Sequence, residues 1–141
     1  MNHDDNCIFC KIVKGTLPSV KVFEDAHTFA FMDINPVGPG HVLIIPKAHH
    51  ADIASVPAEL LQAVIGSVQR VAHACNSALQ PEGMNIMQAN GAVAGQTVFH
   101  LHFHVIPRWD ADTLRLHIEG GPAADSSELV LLAERLSVAL T

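Results

Sequence analysis

Apolar and polar residues alternate over several short stretches of this chain, and apolar residues recur at helical spacing over two others. Val20-Lys21-Val22-Phe23-Glu24 and Thr28-Phe29-Ala30-Phe31-Met32-Asp33 are rich in β-formers and joined by the polar turn Asp25-Ala26-His27, which predicts a β-hairpin. Asn35-Pro36-Val37-Gly38-Pro39-Gly40 reads as a rigid loop, and His41-Val42-Leu43-Ile44-Ile45, stopped by Pro46, as a central strand. Leu61, Val64, Val68, Val71 and Cys75 recur at three- and four-residue spacing and predict one long helix, with Ser55 as its cap and Pro57 in its first turn. That helix should end before Gln80-Pro81-Glu82-Gly83. Cys75 lies on its apolar stripe and reads as a buried, inert thiol; His73 lies off it. Met84-Asn85-Ile86-Met87-Gln88 alternates and predicts a further strand. An irregular segment from residue 109 through Gly120-Gly121-Pro122 precedes a short helix with the stripe Leu129, Leu132, Leu136 and Leu140. The expectation is a single α+β domain over residues 1–141: an antiparallel sheet of about five strands with one long helix packed on one face.

The densest chemistry lies in His100-Leu101-His102-Phe103-His104. In an extended strand these three imidazoles share one face, each about 6.6 Å from the next. Leu101, Phe103 and Val105 then point the other way, into a core, and Pro107 should end the strand. Aligned imidazoles are costly to bury and poor packing, so they mark a site. Two chemistries suit them. Alternate histidines can ligate zinc or copper. A neutral imidazole is also a nucleophile toward phosphorus, provided its Nδ1–H is held by an acceptor so that Nε2 is free. The loop Asn90-Gly91-Ala92-Val93-Ala94-Gly95-Gln96-Thr97 directly before the histidines favours the second, because its glycines let backbone N–H groups approach an anion. It is not the P-loop of nucleoside triphosphatases.

Composition narrows the field. The formal net charge is −6 and Tyr is absent, with aromatics only 5%. Neither the basic stripe nor the stacking surface of a nucleic-acid binder is present. No apolar run approaches the roughly 18 residues of a membrane span. The opening Met1-Asn2-His3-Asp4-Asp5-Asn6 lacks the basic and apolar regions of a secretory signal, and three cysteines do not form a disulfide framework, so a cytoplasmic location is expected. Cys7-Ile8-Phe9-Cys10 can be a metal half-site, a redox pair or two buried thiols; the break at Gly15 leaves no room for the long helix that a redox motif requires.

His100-Leu101-His102-Phe103-His104-Val105-Ile106 matches the signature of the histidine triad (HIT) family of nucleotide hydrolases and transferases, which the chain resembles over roughly residues 7–108. The likeness extends through Asn90-Gly91, Gly95-Gln96-Thr97-Val98, Pro107-Arg108, Phe31-Met32-Asp33-Ile34-Asn35-Pro36 and Gly40-His41 to Pro46-Lys47. It implies hydrolysis of P–O–P or P–N linked adenosine 5′-phosphate derivatives through a nucleotidyl-histidine on His102. His104 would contact the phosphate or bridging atom, and His41 would support the triad. Asp33, which by itself reads more simply as a turn-initiating aspartate, would bind the ribose hydroxyls. Gln96, Thr97, Val98 and Asn90 would hold the phosphate, with Ala89 standing where the family often has a second asparagine. Phe9, Ile12 and Phe31 would line a slot for a purine base. Members that keep the C-x-x-C bind one structural zinc per chain, so the resemblance implies Cys7, Cys10, His100 and the histidine after Pro46-Lys47 as ligands; of His49 and His50, the Pro-Lys-x-His spacing favours His49. It also implies a homodimer. A nucleotidyltransferase, and a nucleotide-binding regulatory module with incidental turnover, are the alternatives.

Overall fold

The computed structural model describes residues 1–112 and 121–140. In chain order the elements are α1 (Ile8–Lys14), β1 (Lys21–Glu24), β2 (Thr28–Met32), β3 (Val42–Pro46), α2 (Ala58–Leu79), β4 (Gly83–Met87), β5 (Phe103–Arg108) and α3 (Ser126–Ala139). The strands form one sheet in the order β1-β2-β3-β5-β4, every neighbouring pair antiparallel. This is the expected α+β fold.

Strand alternation sorts the side chains into two apolar clusters. Ala30, Met32, Val42, Ile44, Leu101, Phe103 and Val105 pack on Val64, Val68 and Val71 of α2 and on Leu129, Ala133 and Leu136 of α3. Phe29, Phe31, Leu43 and Ile45 point to the opposite face and pack on Cys7, Phe9 and Cys10. The predicted long helix therefore shares its face with α3, and α1 covers part of the other. Seven residues are too few for α1 to show a helical period. It is set instead by local caps: the Cys7 sulfur accepts the Cys10 N–H, and Gly15 closes the helix in the left-handed conformation at φ 81°.

Three boundary expectations are corrected. Ser55 does not cap α2; its hydroxyl donates to the carbonyl of Asp52 in a preceding turn, and Pro57 occupies the cap position without a side-chain bond. The histidine strand starts later than predicted, at Phe103, so only His104 lies within the ladder; His100 and His102 sit in the segment leading into it. Nor does Pro107 end that strand, which runs on to Arg108. The Arg108 carbonyl faces β4, where it accepts the Glu82 N–H at 2.9 Å. By alternation the Pro107 nitrogen faces β3, whose pairing with β5 stops at Val105, so no ladder bond is lost. Most of the predicted irregular segment, residues 113–120, lies outside the described residues.

Candidate functional site

Cys7 at the start of α1, Cys10 within it, His49 after β3 and His100 before β5 bring their ligating atoms within 4.8 Å of one another. The Cys7 sulfur is 3.4 Å, and the Cys10 sulfur 3.6 Å, from Nδ1 of His100; Cys10 is also 3.4 Å from Nδ1 of His49. Tetrahedral zinc, with bonds of about 2.3 Å to sulfur and about 2.0 Å to imidazole, separates an S and an N ligand by about 3.5 Å. The donor set therefore fits zinc in both chemistry and spacing. The surroundings fit as well. Nε2 of His100 donates to the Pro46 carbonyl at 2.8 Å, which leaves Nδ1 as a lone pair toward the cysteines. Backbone N–H groups of Asp4 and Cys10 point at the two sulfurs. Of the two adjacent histidines, His49 is the one in the cluster. His50 stays outside the cluster, and its backbone carbonyl accepts the Leu101 N–H at 2.7 Å.

The other histidines form a chain whose proton positions follow from its two fixed ends. A backbone N–H can only donate, so Nδ1 of His41, 3.1 Å from the Val37 nitrogen, is an acceptor. Burial pushes the His41 imidazole below its usual pKa, against the pull of Asp33, and keeps it neutral. Its proton is therefore on Nε2, which donates to Nδ1 of His104 at 2.8 Å. His104, pushed down to about 3 by burial and by the neighbouring His102 and His41, is neutral too, so its proton is on Nε2. His102 has the opposite arrangement. Its Nδ1–H donates to the carbonyl of His100 at 2.8 Å, leaving Nε2 as a lone pair. Two adjacent rings, with centroids 5.0 Å apart, thus offer a nucleophilic nitrogen and a donor N–H. The distance between Nε2 of His41 and Nδ1 of His104 also argues against a metal between them, since zinc holds imidazole nitrogens about 3.3 Å apart.

Asp33, just beyond β2, fills the turn role weighed for it. One carboxylate oxygen accepts the Asn35 N–H at 2.8 Å, closing a turn, and the other lies 3.5 Å from Nε2 of His41. Phe9 stands edge-on to His102 and Phe31, with centroids 5.2 and 5.4 Å away. Both phenylalanines are buried, and Ile12 packs at the edge of their cluster.

In the loop before the histidines, the donors of Gln96 are all engaged within the protein. Its side-chain amide donates to the carbonyls of Ala51 and Val98 and accepts from Gly91, while its own backbone N–H donates to Gly91. Asn90 is a tether as well, accepting the Ile53 N–H at 2.8 Å and bonding Gln88. The Thr97 and Val98 N–H groups donate to no other group among the described residues, and both residues line a cavity of about 300 Å³ with Cys7 and His49. Sequence reasoning missed the Val37 N–H and the Pro46 and His100 carbonyls. These are backbone groups, and no residue type announces them. Cys75 is the buried thiol expected, its pKa pushed up to about 12 by burial.

Fold and site together define an α+β protein with a hydrogen-bonded histidine centre beside a Cys₂His₂ cluster. Residues 14–111 match the HIT domain, and the chain belongs to the HIT family. Among its relatives, the adenosine 5′-monophosphoramidase HNT1 of Candida albicans is 43% identical over 112 residues, covering 77% of this chain and 74% of the relative. A Hit-like protein from Bartonella henselae, described as involved in cell-cycle regulation, superposes with a TM-score of 0.89 at 39% identity over 99% of both chains. A zinc-bound histidine triad protein from Mycobacterium smegmatis does so with 0.85 at 34% identity, over 96% of this chain and 93% of that one.

Proposed function

We propose that the protein hydrolyses adenosine 5′-phosphate derivatives with P–O–P or P–N bonds through a covalent intermediate on His102. The observation that carries this reading is the opposed protonation of two adjacent rings: a bare Nε2 on His102 and an Nε2–H on His104. Nε2 of His102 attacks the α-phosphorus, the N–P bond forms, and the bond from phosphorus to the leaving atom breaks with its electron pair on that atom. His104 donates a hydrogen bond to the charge growing there, and solvent supplies the proton that the leaving group finally takes up. Water then attacks phosphorus, giving up a proton to solvent, and the N–P bond breaks. Its electron pair returns to Nε2, and AMP leaves. The Thr97 and Val98 N–H groups are the phosphate donors in this scheme, Asp33 binds the ribose, and Phe9, Ile12 and Phe31 enclose the base. The activity named for the Candida albicans relative supports the substrate class.

Cys7, Cys10, His49 and His100 are proposed to hold one structural zinc, a reading supported by the similarity to a zinc-bound protein from Mycobacterium smegmatis. Its chemistry there is that of a closed four-ligand tie between the N-terminal segment and the strand that carries the triad. Two thiolate ligands suit the reducing cytoplasm. A homodimer is part of the same reading, supported by β4, which ends the sheet with one edge unpaired among the described residues; sedimentation at micromolar concentration should give twice the chain mass.

Single-turnover reaction with an AMP derivative labelled in its phosphate tests the function. Prompt release of labelled AMP is expected. A label that stays on the protein and passes only to an added acceptor would make the protein a transferase, and binding without any bond cleavage would make it a regulatory module.

A further inference from the structure

After the segment that follows β5, the chain returns across the loop between β2 and β3. The Ala124 N–H donates to the Ile34 carbonyl at 3.0 Å. Gly121 lies so close to Pro36 that a Cβ on it would stand 2.5 Å from the Pro36 carbonyl oxygen and 3.6 Å from its carbonyl carbon. The peptide against which it presses is the one whose other end is the Val37 N–H. Peptide units are planar, and this one is trans, so its oxygen and its N–H point in opposite directions. Gly121 stands at the oxygen; His41 receives the N–H at 3.1 Å.

The geometry points to Gly121 as a positioning residue: with Ala124 it backs the Pro36–Val37 peptide, so that the Val37 N–H keeps Nδ1 of His41 an acceptor and, through His41, keeps Nε2 of His104 a donor toward the leaving atom. The inference rests on the roles given above to His102 and His104. The Val37 N–H is the fixed end that sets the direction of the His41–His104 pair. If that peptide tilts away, nothing prevents His41 from carrying its proton on Nδ1. His41 Nε2 then accepts from Nδ1–H of His104, and His104 presents a lone pair where a donor is needed. His102, held by the His100 carbonyl, does not change.

The test uses Gly121→Ala and two AMP derivatives, an alkylamine phosphoramidate and a p-nitrophenyl ester. A poor leaving group gathers more negative charge in the transition state and depends more on the donor. Gly121→Ala should therefore lower kcat for the phosphoramidate about tenfold or more and leave the aryl ester within about twofold, with KM unchanged for both. Equal losses on the two substrates, or none, would overturn the inference. Nitrogen-15 spectra of histidine-labelled protein give a readout independent of turnover. The wild type should show His41 and His104 protonated on Nε2, and Gly121→Ala should show part of both moved to Nδ1; unshifted spectra in the variant would also overturn it. Should Gly121→Ala fail to fold, Ala124→Pro, which removes the N–H held by Ile34, takes the same two measurements. If the wild type cleaves neither substrate, or His102→Ala still cleaves both, the reading of the active site fails, and the spectra still decide the tautomers.

Discussion

His102 donates its Nδ1–H to the backbone carbonyl of His100 at 2.8 Å. This bond ties the Cys₂His₂ cluster to the His102 ring. His100 is fully buried, with Nδ1 turned to two sulfurs and Nε2 bonded to the Pro46 carbonyl. Whatever holds His100 also holds the acceptor that orients His102. In the proposed reaction the cluster would therefore act through His102 without touching the substrate.

Replacing His102 with Asn or Ala should lower turnover by about 10³-fold or more, as expected for the loss of a covalent nucleophile. AMP affinity should stay within about tenfold, because Phe9, Phe31 and the Thr97–Val98 backbone are untouched. Steady-state assay with calorimetric titration of AMP checks both, and a variant that keeps its turnover would remove His102 from the role.

Purified protein should contain about one zinc per chain. Chelation should lower the melting temperature, since ligation favours the folded state. It should lower turnover in step, because the His100 carbonyl loses its anchor. A Cys7→Ser/Cys10→Ser double variant should lose the metal; unchanged metal content by elemental analysis would show that the four residues are not the site.

Acid should destabilise the fold earlier than carboxylate protonation explains. The His104 pKa is lowered from an ordinary value near 6.5 to about 3, and that of His41 is lowered as well, burial being the main cause in both. The unfolded chain therefore binds protons more readily than the folded one. This contribution to stability is fully present above about pH 6.5 and is lost as pH falls through the window toward about 3. Urea midpoints should drop between pH 7.5 and pH 5, and a His104→Gln variant should drop less. A larger drop in the variant would contradict the assignment.

Gly40 precedes His41 with φ at 83°, and a Cβ there would lie 2.6 Å from Cδ1 of Leu79 and 3.1 Å from Cγ of Pro107. Gly40→Ala should cost about 1–3 kcal/mol, from the left-handed backbone and the contact together. Urea denaturation measures it, and an unchanged midpoint would show that the turn relaxes freely.

The β-formers of residues 28–33, the apolar run 41–45 and the alternation of residues 84–88 and 100–106 were enough to predict the sheet, because strand residues fit a pleated, buried surface. The His-x-His-x-His spacing likewise placed Leu101, Phe103 and Val105 in a core and the three imidazoles on the other side. Tertiary structure decided what side-chain type does not encode. It brought Cys7 and Cys10 to His100 across some ninety positions of chain, chose His49 over His50, and turned Gln96 inward to brace its own loop. It also set the protonation of His41, His102 and His104, because the groups that do so, the Val37 N–H and the His100 carbonyl, belong to the backbone. Every residue but proline carries the same N–H, and every residue the same C=O. Only the fold determines which of them meets an imidazole.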